Sequence, residues 1–175
     1  PLDKKRVFVN AQTGTIAFYD QLLQHATVTG TANTAYSGTQ SIKTDSTSPI
    51  NYRLRETGRG LGVETYNLLK GTNYAAAVDF TDSNNIWNNI NANQDQYATD
   101  AHWGCEMTYD YYFYKHGRNS INNAGFKLMS YIHYSTNYTN AFWDGTRMTY
   151  GDGASPYTPL VAMDIAGHEV THGLT

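Results

Sequence analysis

The sequence has little cysteine and little proline: Cys105 is alone, and there are only four prolines in 175 residues. A single cysteine excludes a disulfide within the chain and a zinc cluster built from several thiolates. No apolar run approaches the ~20 residues that a membrane-spanning helix needs, so we expect no membrane partner. There is also no leader with a charged start and an apolar centre, so a secreted protein with this sequence would have lost its leader beforehand.

Charge of either sign is scarce and well mixed, with 12 basic and 15 acidic residues and a net charge of −3. Without a basic stripe we expect no nucleic-acid partner, and without an acidic block we expect no disordered acidic tail. The chain is instead rich in tyrosine and glycine, 15 of each, and in Asn and Thr. This composition is typical of the hydrated, strand-rich surfaces of secreted proteins. With 40% hydrophobic residues, the chain can form one sizeable core, which predicts a single domain with a tail.

The stretch Asp164–Thr175 contains H-E-V-T-H at positions 168–172. On an α-helix, residues four apart project from one face, so the imidazoles of His168 and His172 would point in the same direction. Two neutral imidazoles at this spacing form half of a tetrahedral zinc site. The Glu169 carboxylate would then reach a water activated by the metal, which is the position of a general base. The alternative is a surface helix that carries two histidines by chance.

The residues before this motif predict a buried helix. Thr158 is a suitable cap and Pro159 suits a first helical turn. Because unpaired polar groups are costly to bury, a buried helix would direct its two His and its Glu into a cleft or onto a metal. The apolar residues that would cover most of the helix surface are Leu160, Val161, Met163, Ala166 and Val170.

Three blocks resemble the thermolysin-like neutral zinc metallopeptidases: Pro159–Gly173, Asn140–Gly153 and Asp100–Tyr112. They follow one another as in that family, and the resemblance covers about Thr27 to Thr175. It implies an α+β fold, the largely antiparallel N-terminal domain of the thermolysin fold with two long helices, the second carrying the H-E-x-x-H motif. It also implies a secreted zinc metalloendopeptidase that cleaves polypeptide substrates.

The sequence departs from the family pattern in one respect. The family's third zinc ligand is a Glu in an N-E-x-x-S-D motif on a later helix, and no such motif follows His172. The resemblance therefore implies that His168 and His172 hold zinc together with a residue of a missing C-terminal helical domain. The family's Tyr and His that act on the oxyanion would also belong to that domain. We accordingly expect this chain to be inactive alone.

Two other functions are compatible with the residues. One is a non-catalytic, β-rich binding module derived from the family. A downstream reading frame that encodes N-E-x-x-S-D would favour the enzyme, and its absence would favour the module. The other is non-proteolytic zinc chemistry, which the N-A-F-W stretch at Asn140–Trp143 disfavours.

That stretch predicts an exposed edge strand, to which an extended peptide can add as a further strand. By resemblance, the Asn140 amide and the Ala141 carbonyl bind the substrate backbone, and Trp143 lies beside the N-terminal side of the substrate. Phe142 is predicted to be a core aromatic. In the family, the pocket for the residue whose nitrogen leaves is lined at positions that match Tyr157, Leu160 and Ile165.

The first 26 residues predict a pro-segment remnant. Residues 6–19 contain two β-rich runs joined around Ala11–Gly14, a hairpin pattern. By resemblance, this is the last hairpin of the pro-segment, the bond His25–Ala26 is the processing site, and residues 27–175 belong to the catalytic domain. The alternative is that residues 1–26 are the first strands of the domain.

Calcium is a further cofactor that the resemblance implies. On the predicted helix, a free carboxylate at Asp164 would be awkwardly buried. By resemblance, Asp164 matches a calcium-ligating Asp of the family, whose partner carboxylates would come from the missing domain. A second family site falls near Asn84–Asp95, where Asn88 and Asn89 stand in place of Asp. We therefore do not expect calcium there.

A second helix is predicted over Asp100–His116, capped by Thr99 or Asp100 and ended by Gly117. Its scaffold role in the family makes His102 a structural residue rather than a ligand. The expected core stripe of this helix is Trp103, Met107, Tyr111 and Tyr114. Strands are predicted at Leu128–Tyr134 and Thr139–Trp143.

Overall fold

The computed structural model describes residues 5–21 and 26–174. Its helices are α1 (Gln96–His116) and α2 (Met163–His172). Among these residues, no helix is long and apolar enough to cross a membrane. The strands are β1 (Lys5–Val9), β2 (Ile16–Gln21), β3 (Ala26–Asn33), β4 (Thr39–Ser48), β5 (Asn51–Arg53), β6 (Arg55–Glu56), β7 (Val63–Asn67), β8 (Val78–Asp79), β9 (Thr81–Asp82), β10 (Ile86–Trp87), β11 (Leu128–Tyr134), β12 (Ala141–Trp143) and β13 (Met148–Gly151).

Within the described residues the strands form a hairpin and two larger sheets, ordered β10-β3-β4-β5-β9 and β12-β13-β11-β7-β6. Most neighbouring strands are antiparallel, which confirms the predicted α+β class with mainly antiparallel sheets. The centre of the second sheet differs, because β11 pairs in parallel with both β7 and β13. Parallel neighbours need a long crossover connection, and α1 lies in the connection between β7 and β11.

Helix α1 begins four residues earlier than predicted. Asp95 is its N-cap, and the Asp95 carboxylate accepts hydrogen bonds from the backbone N–H groups of Tyr97 and Ala98. This side-chain cap satisfies donors that no carbonyl of the first turn can reach. The predicted end is confirmed, since Gly117 follows the helix in the left-handed conformation, with φ 62°.

The predicted core stripe of α1 is wrong in its second half, although Trp103 of the first half packs against the core. Tyr111 and Tyr114 are 54% and 76% exposed, because the helix turns its small residues toward the sheets. Several polar side chains are buried on that face as well, and the tertiary structure supplies partners for them. The buried face contains Ala98, Thr99, Asp100, Ala101, His102, Gly104, Cys105, Glu106, Thr108 and Tyr109.

His102 shows how such a polar group is accommodated. Its Nε2 lies 2.9 Å from the carbonyl oxygen of Lys43, and its Nδ1 lies 2.9 Å from the Thr65 hydroxyl. The carbonyl can only accept, so Nε2 carries the hydrogen and Nδ1 accepts from the hydroxyl. Burial lowers the pKa of His102 to about 4. Both ring nitrogens are therefore engaged within the protein, away from any ligand.

Strand β11 has the predicted bounds, whereas β12 begins two residues later than predicted. The N-terminal hairpin is also confirmed: β1 and β2 are antiparallel, and Phe8 stacks on Phe18 with ring centroids 4.2 Å apart. Whether this hairpin is a pro-segment stays a prediction. His25 lies outside the described residues, and Ala26 is the first residue of β3, opposite Ser46 of β4.

A half-buried ion cluster joins the start of α1 to the end of β11. His133 Nε2 lies 2.7 Å from the Asp95 carboxylate, and His133 Nδ1 lies 2.7 Å from that of Asp152. Carboxylates accept, so both ring nitrogens carry hydrogens and the ring is an imidazolium. Burial opposes this charge, but the two carboxylates outweigh burial and raise the pKa of His133. Lys70 Nζ is 2.9 Å from Asp152, which completes a balanced group of two cations and two anions.

We expect His133→Asn to lower the free energy of unfolding by about 1.5–3 kcal/mol near pH 5.5, the range for hydrogen bonds to charged groups. Asn tolerates the left-handed backbone found at residue 133, φ 59°. The raised pKa makes the His133 contribution complete below about pH 6.5 and removes it as the pH rises through the folded-state value. Urea unfolding at pH 5.5 and pH 9 measures this. An equal loss at both pH values would contradict the imidazolium.

Candidate active site

Helix α2 begins later than predicted. Its N-cap is Ala162, with no side-chain cap, and residues 159–161 precede the helix. Thr158 does not cap it because its hydroxyl lies 2.6 Å from the Tyr36 hydroxyl, which also donates to the Pro159 carbonyl at 2.9 Å. Tyr36, more than 120 residues earlier in the chain, therefore engages the Thr158 hydroxyl that the sequence pattern assigned to the helix cap.

Close packing against α1 sets the orientation of α2. At Gly104 of α1, an added Cβ would lie 2.8 Å from the Ala166 Cβ, so only glycine allows this approach. The Tyr112 and Thr171 hydroxyls are 3.0 Å apart further along the same contact. Ala166 and Val170 are buried in this interface. The opposite side of α2 is thereby turned toward a cleft.

The last five residues of α2 are H-E-V-T-H. The Nε2 atoms of His168 and His172 are 2.9 Å apart, and both side chains are exposed. In a tetrahedral zinc site with Zn–N bonds of about 2.05 Å, two such nitrogens would lie roughly 3.3 Å apart. The pair therefore fits half of a zinc site. In the described part of the chain, no group of three or more His, Cys, Asp or Glu side chains could hold a metal.

Glu169 differs from its neighbours in the motif, since it is only 5% exposed. It lies on the wall of the cleft beside the two imidazoles. Tyr150 of β13 is close to it: burial is the main cause that raises the pKa of Tyr150, and Cys105 and Glu169 raise it further. The Tyr150 phenol therefore stays neutral next to this wall.

The opposite wall of the cleft is β12, the last strand of its sheet. One edge of β12 pairs with β13, with Ala141 opposite Tyr150, so the other edge is free of sheet partners among the described residues. The cleft has a volume of about 490 Å³. It is lined by Asn140, Ala141, Phe142, Trp143, Leu160, Ile165, His168, Glu169 and His172.

A tight backbone crossing fixes the start of β12. The Gly151 N–H donates to the Asn140 carbonyl at 2.9 Å, and the Gly153 N–H donates to the Tyr138 carbonyl at 3.0 Å. A Cβ at Gly151 would lie 1.9 Å from the Tyr138 carbonyl oxygen. The G-D-G turn thus holds the residues that lead into the edge strand against the sheet.

Sequence reasoning placed two residues differently from the structure. Phe142 lines the cleft and packs edge-on against Tyr134, with centroids 5.6 Å apart, instead of lying in the core. Its place in the N-A-F-W edge strand was the available signal. Asp164 was expected to be awkwardly buried, which is wrong: it is exposed and accepts a hydrogen bond from the Ile165 N–H at 3.0 Å. Its calcium role stays a prediction.

Tyr157 is the one substrate-binding candidate that does not line the cleft. It is 64% exposed, whereas Leu160 and Ile165 lie in the cleft wall. Tyr157 therefore lacks the position in the cleft wall that the other candidates have, and its substrate-binding role stays a prediction.

Comparison with known proteins agrees with this geometry. The chain is 41% identical over 172 residues to the transglutaminase-activating metalloprotease of Streptomyces mobaraensis, covering 97% of this chain and 21% of that protein. It is 37% identical over 170 residues to a bacillolysin of Brevibacillus brevis, covering 96% of this chain and 30% of the relative. The chain thus spans between a fifth and a third of the length of these relatives.

A solved structure, the precursor of protealysin, a metalloproteinase from Serratia proteamaculans, matches with a TM-score of 0.53 and 28% identity. The match covers 64% of this chain and 34% of that one. The model of the thermolysin metallopeptidase catalytic domain matches residues 29–175. This range contains α1, β12, β13 and α2, the elements that build the cleft, and the chain therefore belongs to the thermolysin metallopeptidase family, whose members are metal-dependent proteases.

Proposed function

We propose that this chain is the N-terminal part of the catalytic domain of a secreted zinc endopeptidase, with Glu169 as the general base. The observation that carries the proposal is the convergence of the His168 and His172 nitrogens in one cleft with Glu169 and an open sheet edge. Chelator-sensitive hydrolysis of a peptide by the full-length protein, restored by zinc, tests it. Activity unaffected by removal of the metal would contradict it.

The two imidazoles would hold the zinc through Nε2, and a Glu from a further domain would complete the protein ligands. When bound, zinc supplies Lewis-acid chemistry toward water and the peptide carbonyl. Glu169 takes the proton of the attacking water and delivers it to the leaving amine nitrogen. Its low exposure keeps the carboxylate within the cleft wall, where few competing waters reach it.

The edge of β12 would orient the substrate. An extended peptide can pair with the free edge, with the Asn140 amide and the Ala141 carbonyl binding its backbone, while Trp143 lies beside its N-terminal side. Pairing of this kind fixes the peptide along the cleft without demanding particular side chains. The carbonyl to be cleaved can thereby be presented to the metal and to Glu169.

Maturation and calcium binding complete the proposal. The hairpin β1–β2 is a separate sheet that precedes the matched catalytic domain, which supports its assignment to a pro-segment. Cleavage of His25–Ala26 would then release residues 1–25 from the enzyme. Asp164, exposed on α2, could supply one calcium ligand, with the others from the further domain.

We expect substrates with a bulky apolar residue on the side whose nitrogen leaves. Leu160 and Ile165 give the cleft an apolar wall on which no Lys or Asp side chain would find a charge partner. One methylene in such a pocket is worth about 1–3 kcal/mol, so preference should be graded. A peptide library measures it, and a profile that peaks at charged residues on that side would refute the assignment.

We also expect the 175-residue chain alone to show little peptidase activity. Its described residues supply two ligands for zinc, and no third protein ligand. Zinc should then bind weakly, with water or other molecules in the remaining positions. Casein hydrolysis measured beside a full-length relative tests this, and chelator-sensitive activity within tenfold of that relative would show the expectation to be wrong.

A further inference from the structure

A second pocket, of about 300 Å³, lies away from the cleft, where the start of β3 meets β6 and β7. The Thr57 N–H donates to the Thr27 hydroxyl oxygen at 3.2 Å and ties the two segments together. Ala26, the residue that would begin the mature chain, is therefore part of the pocket wall. The pocket is lined by Ala26, Thr27, Asp45, Arg53, Arg55, Glu56, Thr57 and Glu64.

Of the three acidic side chains in the wall, Glu56 is the one with a buried oxygen that has no hydrogen-bond partner among the described residues. Asp45 pairs with Arg53, and Glu64 pairs with Lys127 at 2.8 Å. The Glu56 side chain is fully buried. Its Oε2 accepts from the Gly58 N–H at 2.5 Å, while its Oε1 has no hydrogen-bond partner. A buried carboxylate oxygen without a donor is costly and marks a place where a donor is missing.

Among the described residues, the cation nearest to Glu56 is shared with other carboxylates. One guanidinium, that of Arg59, lies 3.9 Å from Glu56, 2.9 Å from Glu106 and 2.8 Å from Asp110. His102 is 3.8 Å from Glu106, but it is neutral. Three carboxylates thus share one cation. Burial is the main cause that raises the pKa of Glu56, and it raises that of Glu106 to about 8. A cation placed beside these side chains would favour their charged form.

We propose that this pocket binds the α-ammonium group of Ala26 after cleavage of His25–Ala26, with Glu56 as its carboxylate partner. The inference rests on the pro-segment cleavage proposed above. Hydrolysis adds the water oxygen to the His25 carbonyl carbon and leaves a carboxylate there, while the Ala26 nitrogen becomes a primary ammonium. Before the cut this nitrogen is an uncharged amide. The Arg53 and Arg55 guanidinium groups of this wall pair with Asp45 and Asp79 rather than with Glu56. Maturation therefore creates a cation in a wall where Glu56 has no paired cation of its own. It also makes the stability of the start of β3 depend on the release of the pro-segment.

The pKa of the Ala26 α-amine tests this, measured in the mature enzyme with a reversible active-site inhibitor bound. After reductive methylation with a ¹³C label, NMR titration should give the Ala26 amine a pKa at least one unit above the usual value of about 7.7–8.0. In Glu56→Gln the pKa should return to the usual range. Gln keeps an oxygen for the Gly58 N–H and removes the charge. Glu64→Gln is the matched control from the same wall and should leave most of the upward shift in place.

Thermal unfolding of precursor and mature forms is the second measurement, and Glu56→Met, which also removes the charge, replaces Glu56→Gln if the latter does not fold. The Glu56 substitution should lower the midpoint by about 3 °C more in the mature form than in the precursor. N-terminal sequencing accompanies both measurements. A mature start at Ala26 with an unshifted amine pKa and equal losses in both forms would overturn the inference and leave the processing site standing. A start elsewhere would overturn both.

Discussion

Glu169→Gln in the full-length peptidase is expected to lower kcat by about 10²–10⁴-fold, the contribution typical of a general base. Zinc content and KM should remain close to wild type, because Gln keeps the shape of the side chain and removes only the proton acceptor. Glu169 lies in the cleft wall beside His168 and His172. The two histidine Nε2 atoms lie close together and do not need the Glu169 side chain to form their part of the metal site. Steady-state hydrolysis of a peptide amide, with zinc measured on the same sample, checks the result.

The matched control is Glu169→Asp, which keeps a carboxylate but withdraws it by one methylene. We expect a smaller loss than for Gln, since a base that is farther from the water still accepts its proton. If Glu169→Gln instead lost zinc in proportion to activity, Glu169 would be a metal ligand, and the assignment of roles within the motif would be wrong.

His168→Ala and His172→Ala are each expected to abolish stoichiometric zinc binding and reduce peptide hydrolysis to background. Either change removes one of only two metal ligands that the described residues provide. Both side chains are exposed, so the metal-free fold should lose little stability. Equilibrium dialysis against zinc measures the loss, and far-UV circular dichroism of the metal-free forms shows that the fold is retained.

A control substitution on the surface of α2 distinguishes the loss of a zinc ligand from a general effect of changing that surface. Asp164→Asn alters an exposed residue of the same helix, and it should leave zinc binding unchanged. A variant of either histidine that retained one tightly bound zinc would show that the metal is held elsewhere.

The candidate zinc site could be predicted from sequence because its geometry is local. The spacing of His168 and His172 sets their common direction once a helix forms, whatever surrounds that helix. The end of α1 at Gly117 and the bounds of β11 are local in the same sense, since a left-handed glycine and a run of strand-forming residues act on their own neighbours. The edge position of Asn140–Trp143 was accessible through the resemblance of the whole block.

Contacts between distant residues decided the rest. Tyr36 takes the hydroxyl of Thr158 and the carbonyl of Pro159, which delays the start of α2 beyond the point that the capping pattern favoured. Glu106 is buried in α1 because the Lys43 N–H and Arg59 donate to it. No periodicity within the helix reveals these partners, so the hydrophobic pattern assigned the exposed Tyr111 and Tyr114 to the core.

The cleft itself belongs to the tertiary structure. The sequence by itself determined which chemical groups are present and how the two histidines are spaced. Only the packing of α2 on α1 through Gly104, and the crossing of Gly151 beneath Tyr138, brought those groups opposite a free strand edge. The pocket beside Glu56 arose in the same way. The burial of Glu56 and the charges around it come from residues on separate strands and helices, which lie close together only after the chain has folded.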